Sequence, residues 1–196
     1  MAKTDPASAK KERNKHVKWV VTIFFATMFI SGSISLLSDV LMENSTMAVA
    51  FLILLVIILV GIIFDIIGMA VATADEKPFH SMAARKVPGA QESIKLLRNA
   101  ERVSSICNDV VGDICGVVSG SASATIAAQI LRNFEFTWPQ IISLLMSALA
   151  AGLTVGGKAI GKSFAVNSCT EIVHGVGRVI HALNNFPKGF RKKKKK

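Results

Sequence analysis

Residues 50–73 form a long apolar run, AFLILLVIILVGIIFDIIGMAVAT, that contains a single carboxylate, Asp65. About 20 apolar residues span the hydrocarbon layer of a bilayer, so this run predicts a transmembrane helix. A charged residue near the centre of such a helix costs about 3 kcal/mol on insertion scales. Asp65 is therefore a candidate functional residue that needs a cation, a lysine or a proton as its partner. In a simpler interpretation, Asp65 lies near the cytoplasmic end of the span and is wetted by interfacial water.

The composition also indicates a membrane protein. The chain is 51% hydrophobic with a mean hydropathy of +0.48, which is too apolar for an ordinary soluble domain. Its net charge of +10 is concentrated in three basic segments, as in the cytoplasmic parts of membrane proteins, so we expect no nucleic-acid partner. The cysteines Cys107, Cys115 and Cys169 follow no metal-ligand or disulfide pattern.

Three further apolar segments, residues 19–41, 103–130 and 141–160, predict three more spans. Basic residues favour the cytoplasmic side of the membrane. We therefore place the tail 1–18, the basic segment 74–102 and the polybasic end inside, and the connections 38–46 and 132–140 outside. The predicted protein is a multi-pass protein of the cell (inner) membrane with both termini in the cytoplasm.

The N-terminal region is predicted to combine a tail with a membrane anchor. Residues 1–18 are polar and rich in lysine, without apolar periodicity, and we expect them to be disordered. Residues 19–41 are predicted to be a retained anchor, because the apolar character continues beyond Ser33, further than in a typical signal peptide. The alternative is a signal peptide that is cleaved near Ser31–Ser33.

Two amphipathic segments are predicted outside the spans. In residues 74–102, prolines stand where helices begin and an apolar stripe faces lysines and arginines, which is typical of a helix at the membrane interface. Residues 164–196 contain a second amphipathic helix followed by PKGFRKKKKK. Such a tail gains about 1 kcal/mol per charge from an anionic leaflet, so anionic lipids are predicted partners. The transmembrane domain between these segments and the anchor comprises residues 47–163.

The third span combines regularly spaced glycines with carboxylates. Gly112, Gly116 and Gly120 are four residues apart and fall on one helix face, where a partner helix can approach closely. Asp109 and Asp113 share this face at helical spacing. We therefore expect both carboxylates to point into the protein rather than towards lipid.

The last span is also rich in glycine and carries a lysine. Gly152 and Gly156, and Gly157 and Gly161, form two more pairs for close helix approach, and their density favours a break or kink near Lys158. Residues 156–163, GGKAIGKS, also match the phosphate-binding pattern G-x-x-x-x-G-K-S. That loop requires a preceding strand in a parallel sheet, whereas an apolar span precedes it here, so we expect no nucleotidase and no other enzyme.

Three stretches of the sequence resemble the membrane domain of the CorB/CorC (cyclin M) magnesium transporter family. Residues 64–102, FDIIGMAVATADEKPFHSMAARKVPGAQESIKLLRNAER, are similar to its first core span and juxtamembrane helix. Residues 111–113, VGD, resemble the Gly-Asn element of its second span, and residues 157–163, GKAIGKS, resemble its third-span G-E-x-x-P-K-S. The resemblance covers residues 49–183.

The sequence departs from this family at the positions that the resemblance assigns to the ion. Asp65 stands where the family has Ser, Lys158 where it has Glu, and Gly161 where it has Pro. The family's Asn corresponds to Asp113, or to Asn108 if the register slips. The cytoplasmic CBS-pair and C-terminal domains of the family have no counterpart in the sequence.

The resemblance implies an all-α polytopic fold in which a three-span CorC-like core follows one extra N-terminal span. It also implies a homodimer, a Mg²⁺ ion held midway through the membrane, Co²⁺ as a further substrate, and coupling to Na⁺. Mg²⁺ prefers about six hard oxygen ligands. Oxygens of this kind are available from Asp65, Asn108, Asp109 and Asp113.

Two functional hypotheses follow. In the first, the protein is a divalent-cation transporter for Mg²⁺ or Co²⁺, with these four ligands and a moving helix break at Gly156, Gly157 and Gly161. In the second, Asp65 and Lys158 neutralise each other as a buried ion pair, and Lys158 is the counter-ion. The protein would then be a non-transporting membrane scaffold or regulator that retains the fold without the ion.

Overall fold

The computed structural model describes residues 6–43, 45–133 and 138–192, and these ranges contain helices and turns without any strand. The helices are α1 (Pro6–Glu43), α2 (Met47–Thr73), α3 (Lys77–Ala84), α4 (Ala90–Arg98), α5 (Ala100–Ser105), α6 (Asp113–Asn133), α7 (Pro139–Asn167) and α8 (Cys169–Lys192). A π-helical segment, Ile106–Gly112, joins α5 to α6. The predicted all-α fold is confirmed.

Four helical stretches are long and apolar enough to cross a membrane: Val17–Met42, Met47–Thr73, Ala100–Asn133 and Pro139–Asn167. The third runs without interruption through α5, the π segment and α6. The prediction of four spans is therefore confirmed by length and composition, and the chain is that of a membrane protein. The predicted outer connection at residues 132–140 lies partly outside the described residues.

α1 is longer than predicted at both ends. The tail that was expected to be disordered is helical from Pro6, and most of the connection predicted at residues 38–46 belongs to the same helix, which ends at Glu43. Residues 1–5 and 44 lie outside the described part of the chain. Proline suits the first turn of a helix because its φ angle is fixed near the helical value and its missing N–H needs no partner there.

Polar contacts hold the end of α1 against α6. Ser121 Oγ and Thr125 Oγ1 donate hydrogen bonds to the Asp39 carboxylate at 3.2 and 3.3 Å. Gln129 Nε2 donates another to Met42 O at 2.7 Å. The three donors are spaced four residues apart, so they share one face of α6. These contacts explain why the helix continues past residue 38, where the sequence predicted a loop.

α2 is the central helix, and it approaches the third span most closely at glycines. A Cβ atom placed at Gly61 would lie 2.8 Å from Cys115 Cβ, and one at Gly68 would overlap the side chain of Asn108. Residue numbers rise along α2 as they fall along its partner, so the two spans are antiparallel. The missing side chains allow the two backbones to approach, which is how membrane helices gain packing contacts without a hydrophobic driving force.

α7 meets α2 through glycines of its own. A Cβ atom at Gly157 would overlap Ile62, and one at Gly161 would lie 2.7 Å from Ile66 Cγ1. In this pair the residue numbers rise together, so α2 and α7 run in the same direction. α2 therefore has a glycine-mediated contact on each of two sides.

The other glycines for which close helix contacts were predicted do not make them. No atom of the described residues lies within 4 Å of a Cβ atom placed at Gly116, Gly120, Gly152 or Gly156. Helical spacing places such glycines on one face of a helix, but it does not show whether that face meets another helix. α6 instead buries a stripe of residues four apart from Ile114 to Ile126.

α3, α4 and α8 pack together beyond the end of α2 and form a unit that we call the cap. Its apolar core contains Phe79, Ile94, Leu97 and Val173, which pack on Val71 of α2. Both amphipathic segments predicted from the sequence thus contain helices, and their apolar sides face each other. Their contact with the membrane interface stays a prediction.

Close backbone contact joins α4 to α8 within the cap. Gly89 has a φ of +88°, which favours glycine, and a Cβ atom there would lie 2.6 Å from Arg178 N. The hydroxyl of Ser93, buried against Gly177, donates a hydrogen bond to Val173 O at 3.1 Å. Both Gly89 and Gly177 must therefore be glycine for α4 and α8 to pack this closely.

A second contact between α4 and α8 is electrostatic. His181 Nδ1 lies 3.2 Å from Glu92 Oε1, and this hydrogen bond holds the pKa of the Glu92 carboxyl below its ordinary value. Because the folded-state pKa of Glu92 is lowered, the contact stabilises the cap at pH values above the ordinary pKa of the carboxyl. That contribution is lost as the pH falls through the lowered pKa.

Two adjacent glycines of α7 provide a matched test of its packing on α2. Gly157→Leu should lower the free energy of unfolding by about 1–3 kcal/mol because the new side chain collides with Ile62. In Gly156→Leu the new side chain faces open space, so the free energy of unfolding should change by less than about 0.5 kcal/mol. Thermal unfolding of the purified variants in detergent measures both. Equal melting temperatures for the two variants would contradict the packing of α7 on α2.

The glycines of α8 provide a similar test of the cap. Gly177→Ala should destabilise by about 1–3 kcal/mol, since its Cβ atom meets Ser93 and the Gly89 backbone. A Cβ atom at Gly175, two residues earlier, has no neighbour within 4 Å in the described part of the chain, so Gly175→Ala should gain up to about 1 kcal/mol of helix propensity. The melting temperatures of the two variants should move in opposite directions. If both rise, α8 does not dock on α4 as described.

Candidate functional site

Asp65 and Lys158 form an ion pair inside the transmembrane helices. Lys158 Nζ lies 3.4 Å from Asp65 Oδ1, and the two side chains are 21% and 7% exposed. Among the side chains that the structure describes, no other lysine or arginine lies within 4 Å of a carboxylate. Of the three partners considered for Asp65 from the sequence, the structure provides the lysine.

Both residues lie well inside their helices. Asp65 precedes the end of α2 by eight residues and Lys158 precedes the end of α7 by nine, which is about 12–14 Å of helix. Because α2 and α7 run in the same direction, the two side chains are at the same depth. Asp65 is a buried residue there. Its interpretation as a carboxylate wetted by interfacial water near the end of the span stays a prediction.

Gly112, the last residue of the π segment, leaves room for the lysine amine. A Cβ atom at this position would lie 3.2 Å from Lys158 Nζ, 3.5 Å from Cys107 O and 3.8 Å from Asp65 Oδ1. A side chain at residue 112 would therefore press against the ion pair. The π turn brings Gly112 and the Cys107 carbonyl to this position, and π turns occur frequently at functional sites.

Two buried oxygen atoms in this region have no hydrogen-bond partner among the described residues: Asp65 Oδ2 and Asn108 Oδ1. Asn108 lies against Gly68, which follows Asp65 by three residues on the same face of α2. Its amide nitrogen donates to Ser104 Oγ at 3.3 Å, so only the carbonyl oxygen is unpaired. Each unpaired buried group costs about 1–3 kcal/mol.

Asp109 and Asp113 do not point inward as predicted. Both are exposed, and Asp109 accepts a hydrogen bond from Ser105 Oγ at 2.7 Å on its own helix. Within residues 6–43, 45–133 and 138–192 there is no group of three or more His, Cys, Asp or Glu side chains that could hold a metal ion. Of the four predicted ligands, Asp65 and Asn108 therefore face the interior, and a metal-binding role for the set stays a prediction.

The helix break predicted near Lys158 is absent from the structure. α7 is continuous from Pro139 to Asn167, and Gly157 and Gly161 pack on α2 while Gly156 is exposed. The phosphate-binding pattern at residues 156–163 lies in the interior of this helix, without the strand that such a loop needs. The glycines therefore bring Lys158 close to α2, and a gating role for them stays a prediction.

The contacts of Gly61 and Gly68 were not predicted from the sequence, although a signal for them exists. Gly61, Asp65 and Gly68 are four and three residues apart, so they share one face of α2. Two glycines beside a carboxylate indicate the face that meets neighbouring helices. Asp39 gives no comparable signal, because its hydrogen-bond donors lie on another helix.

Comparison with known proteins adds no assignment. The chain matches no protein-family model, and neither the curated proteins nor the solved structures contain a significant match to it. The resemblance to the CorB/CorC family therefore rests on the quoted sequence stretches.

The ion pair can be tested by removing one partner and then both. Asp65→Asn should destabilise the protein by about 3–5 kcal/mol, because Lys158 keeps a buried charge without a counter-ion. Adding Lys158→Met to that variant should restore most of the loss. Asp113→Asn, in which an exposed carboxylate is replaced, is the matched control and should not lower the melting temperature. A double variant less stable than Asp65→Asn alone would contradict the pairing.

Proposed function

We propose that the protein is a non-transporting membrane scaffold or regulator, in which Lys158 permanently neutralises the buried carboxylate of the transmembrane domain. The observation that supports this most directly is the 3.4 Å contact between Lys158 Nζ and Asp65 Oδ1. A lysine that is part of the chain cannot diffuse away, unlike a transported ion. The pair therefore stabilises a fixed arrangement of α2 and α7.

The chemistry of Mg²⁺ favours this proposal over divalent transport. Mg²⁺ keeps octahedral geometry and is usually bound by one or two carboxylates together with water. At this site it would compete with an ammonium group for Asp65, while Asp109 and Asp113 are exposed. Mg²⁺ beside Lys158 and one carboxylate would leave two positive charges in excess. Uncompensated charge inside a membrane costs several kcal/mol.

The parts outside the spans suit a scaffold. The cap offers a folded surface on which Val179 and Leu183 of α8 are 59% and 65% exposed. In this proposal the cap and both termini are cytoplasmic, in the cell membrane, because the basic segments favour that side. The lysine-rich end would then bind anionic lipids; residues 193–196 of that end lie outside the described part of the chain.

A second candidate function is divalent-cation transport for Mg²⁺ or Co²⁺, as the CorB/CorC resemblance implies. One observation favours it: Asp65 Oδ2 and Asn108 Oδ1 are buried oxygens without a partner among the described residues, and unpaired oxygens of this kind can coordinate a cation. This function requires Lys158 to leave Asp65 when the ion binds.

Measurement of ion flux separates the two candidates. In proteoliposomes loaded with a Mg²⁺-sensitive dye, the wild-type protein should admit Mg²⁺ no faster than protein-free vesicles do, with or without a Na⁺ gradient. The Asp65→Asn, Lys158→Met double variant, which is expected to keep most of the wild-type stability, is reconstituted at equal density as the control. Wild-type flux above the protein-free rate that this double variant abolishes would replace the scaffold proposal with transport.

A further inference from the structure

We propose that the buried Asp65 carboxylate, with the space beside Gly112, forms a binding site for a monovalent cation, and that the Lys158 ammonium is the cation that fills it. This inference rests on the proposed function, because it takes Lys158 to hold the site in the wild-type protein. It goes further in assigning a ligand class to the site itself. A free alkali-metal cation should be able to take the place of the ammonium once the amine is removed.

Asp65 supplies the oxygen atoms of the proposed site. The Asp65 side chain is 7% exposed; one of its oxygens contacts Lys158 Nζ, and the other has no hydrogen-bond partner among the described residues. Asn108 Oδ1, which also has no partner there, lies one turn further along α2, against Gly68. Polar and ionisable side chains inside transmembrane segments commonly mark ion sites.

The charge of the site favours a monovalent cation. Asp65 is the one carboxylate among the described residues of the spans that is buried, so the site carries a single negative charge. One monovalent cation neutralises it, whereas a divalent cation leaves an excess of positive charge in a medium where such charge is costly. The ammonium of Lys158 satisfies this requirement, and so would Na⁺ or K⁺.

Glycine at residue 112 leaves the region beside Lys158 Nζ without a side chain, and glycine at residues 157 and 161 lets α7 approach α2. The lysine stem thus reaches Asp65 along a tightly packed helix pair. Shortening or neutralising this side chain would expose the carboxylate to a free cation without disturbing the glycine contacts.

The test uses full-length Lys158→Met, which keeps the apolar stem and removes the charge. Its melting temperature should rise by roughly 5–10 °C when about 100 mM NaCl or KCl replaces choline chloride at constant ionic strength, if the dissociation constant is about 1 mM. The wild-type protein should show no such difference. The shift should disappear in the Asp65→Asn, Lys158→Met double variant, because the carboxylate that binds the cation is gone.

Each other outcome overturns the inference. A variant that responds equally to choline and to alkali cations has no specific site, and one that responds more strongly to millimolar Mg²⁺ has a site of the wrong class. If Lys158→Met does not purify in choline, it is prepared in NaCl, in KCl and in methylammonium chloride, together with Lys158→Gln. Failure of both variants in every salt also overturns the inference, since a free cation should replace the missing ammonium.

The flux measurement and the melting measurement test the two proposals separately. Mg²⁺ flux through the wild-type protein would overturn the scaffold function whatever the variants do. If the wild-type protein shows no Mg²⁺ flux and the melting temperature of Lys158→Met does not change with monovalent cations, only the cation site is overturned.

Discussion

A carboxylate that is buried among membrane-spanning helices needs a partner that neutralises it, and the packing of α7 on α2 provides one. Asp65 lies about 12 Å from the end of α2 and is buried, so its partner has to come from a neighbouring span at the same depth. α7, which runs parallel to α2, provides Lys158 there. Breaking such a pair costs about 3–5 kcal/mol, a large share of the stability of an ordinary domain.

Glycine and the π turn make this pairing sterically feasible. Gly157 and Gly161 bring α7 against α2, and Gly61 and Gly68 bring α2 against the third span. The π segment then places Gly112, rather than a larger side chain, beside the lysine amine. The polar pair and the small residues are therefore one structural feature: without close backbone approach, the amine would not reach the carboxylate.

The sequence predicts this arrangement in part. Apolar runs of membrane length give four spans because length and hydropathy are local properties. A lysine was one of three partners considered for Asp65, since sequence shows which charges need partners but not which helices are neighbours. The orientation of Asp109 and Asp113 was predicted wrongly, because helical spacing places the two carboxylates on one face but does not show whether that face points inward. The end of α1 was also missed, as Asp39 depends on donors from α6.

A charge swap tests most directly whether the Asp65–Lys158 contact organises the membrane domain. Asp65→Lys alone places two ammonium groups together, and Lys158→Asp alone places two carboxylates together, so each should lose at least about 3 kcal/mol or fail to fold. The double variant restores opposite charges at the same two positions. Our account predicts that its melting temperature in detergent exceeds that of either single variant and recovers most of the wild-type value. A double variant whose loss equals the sum of the two single losses would contradict it.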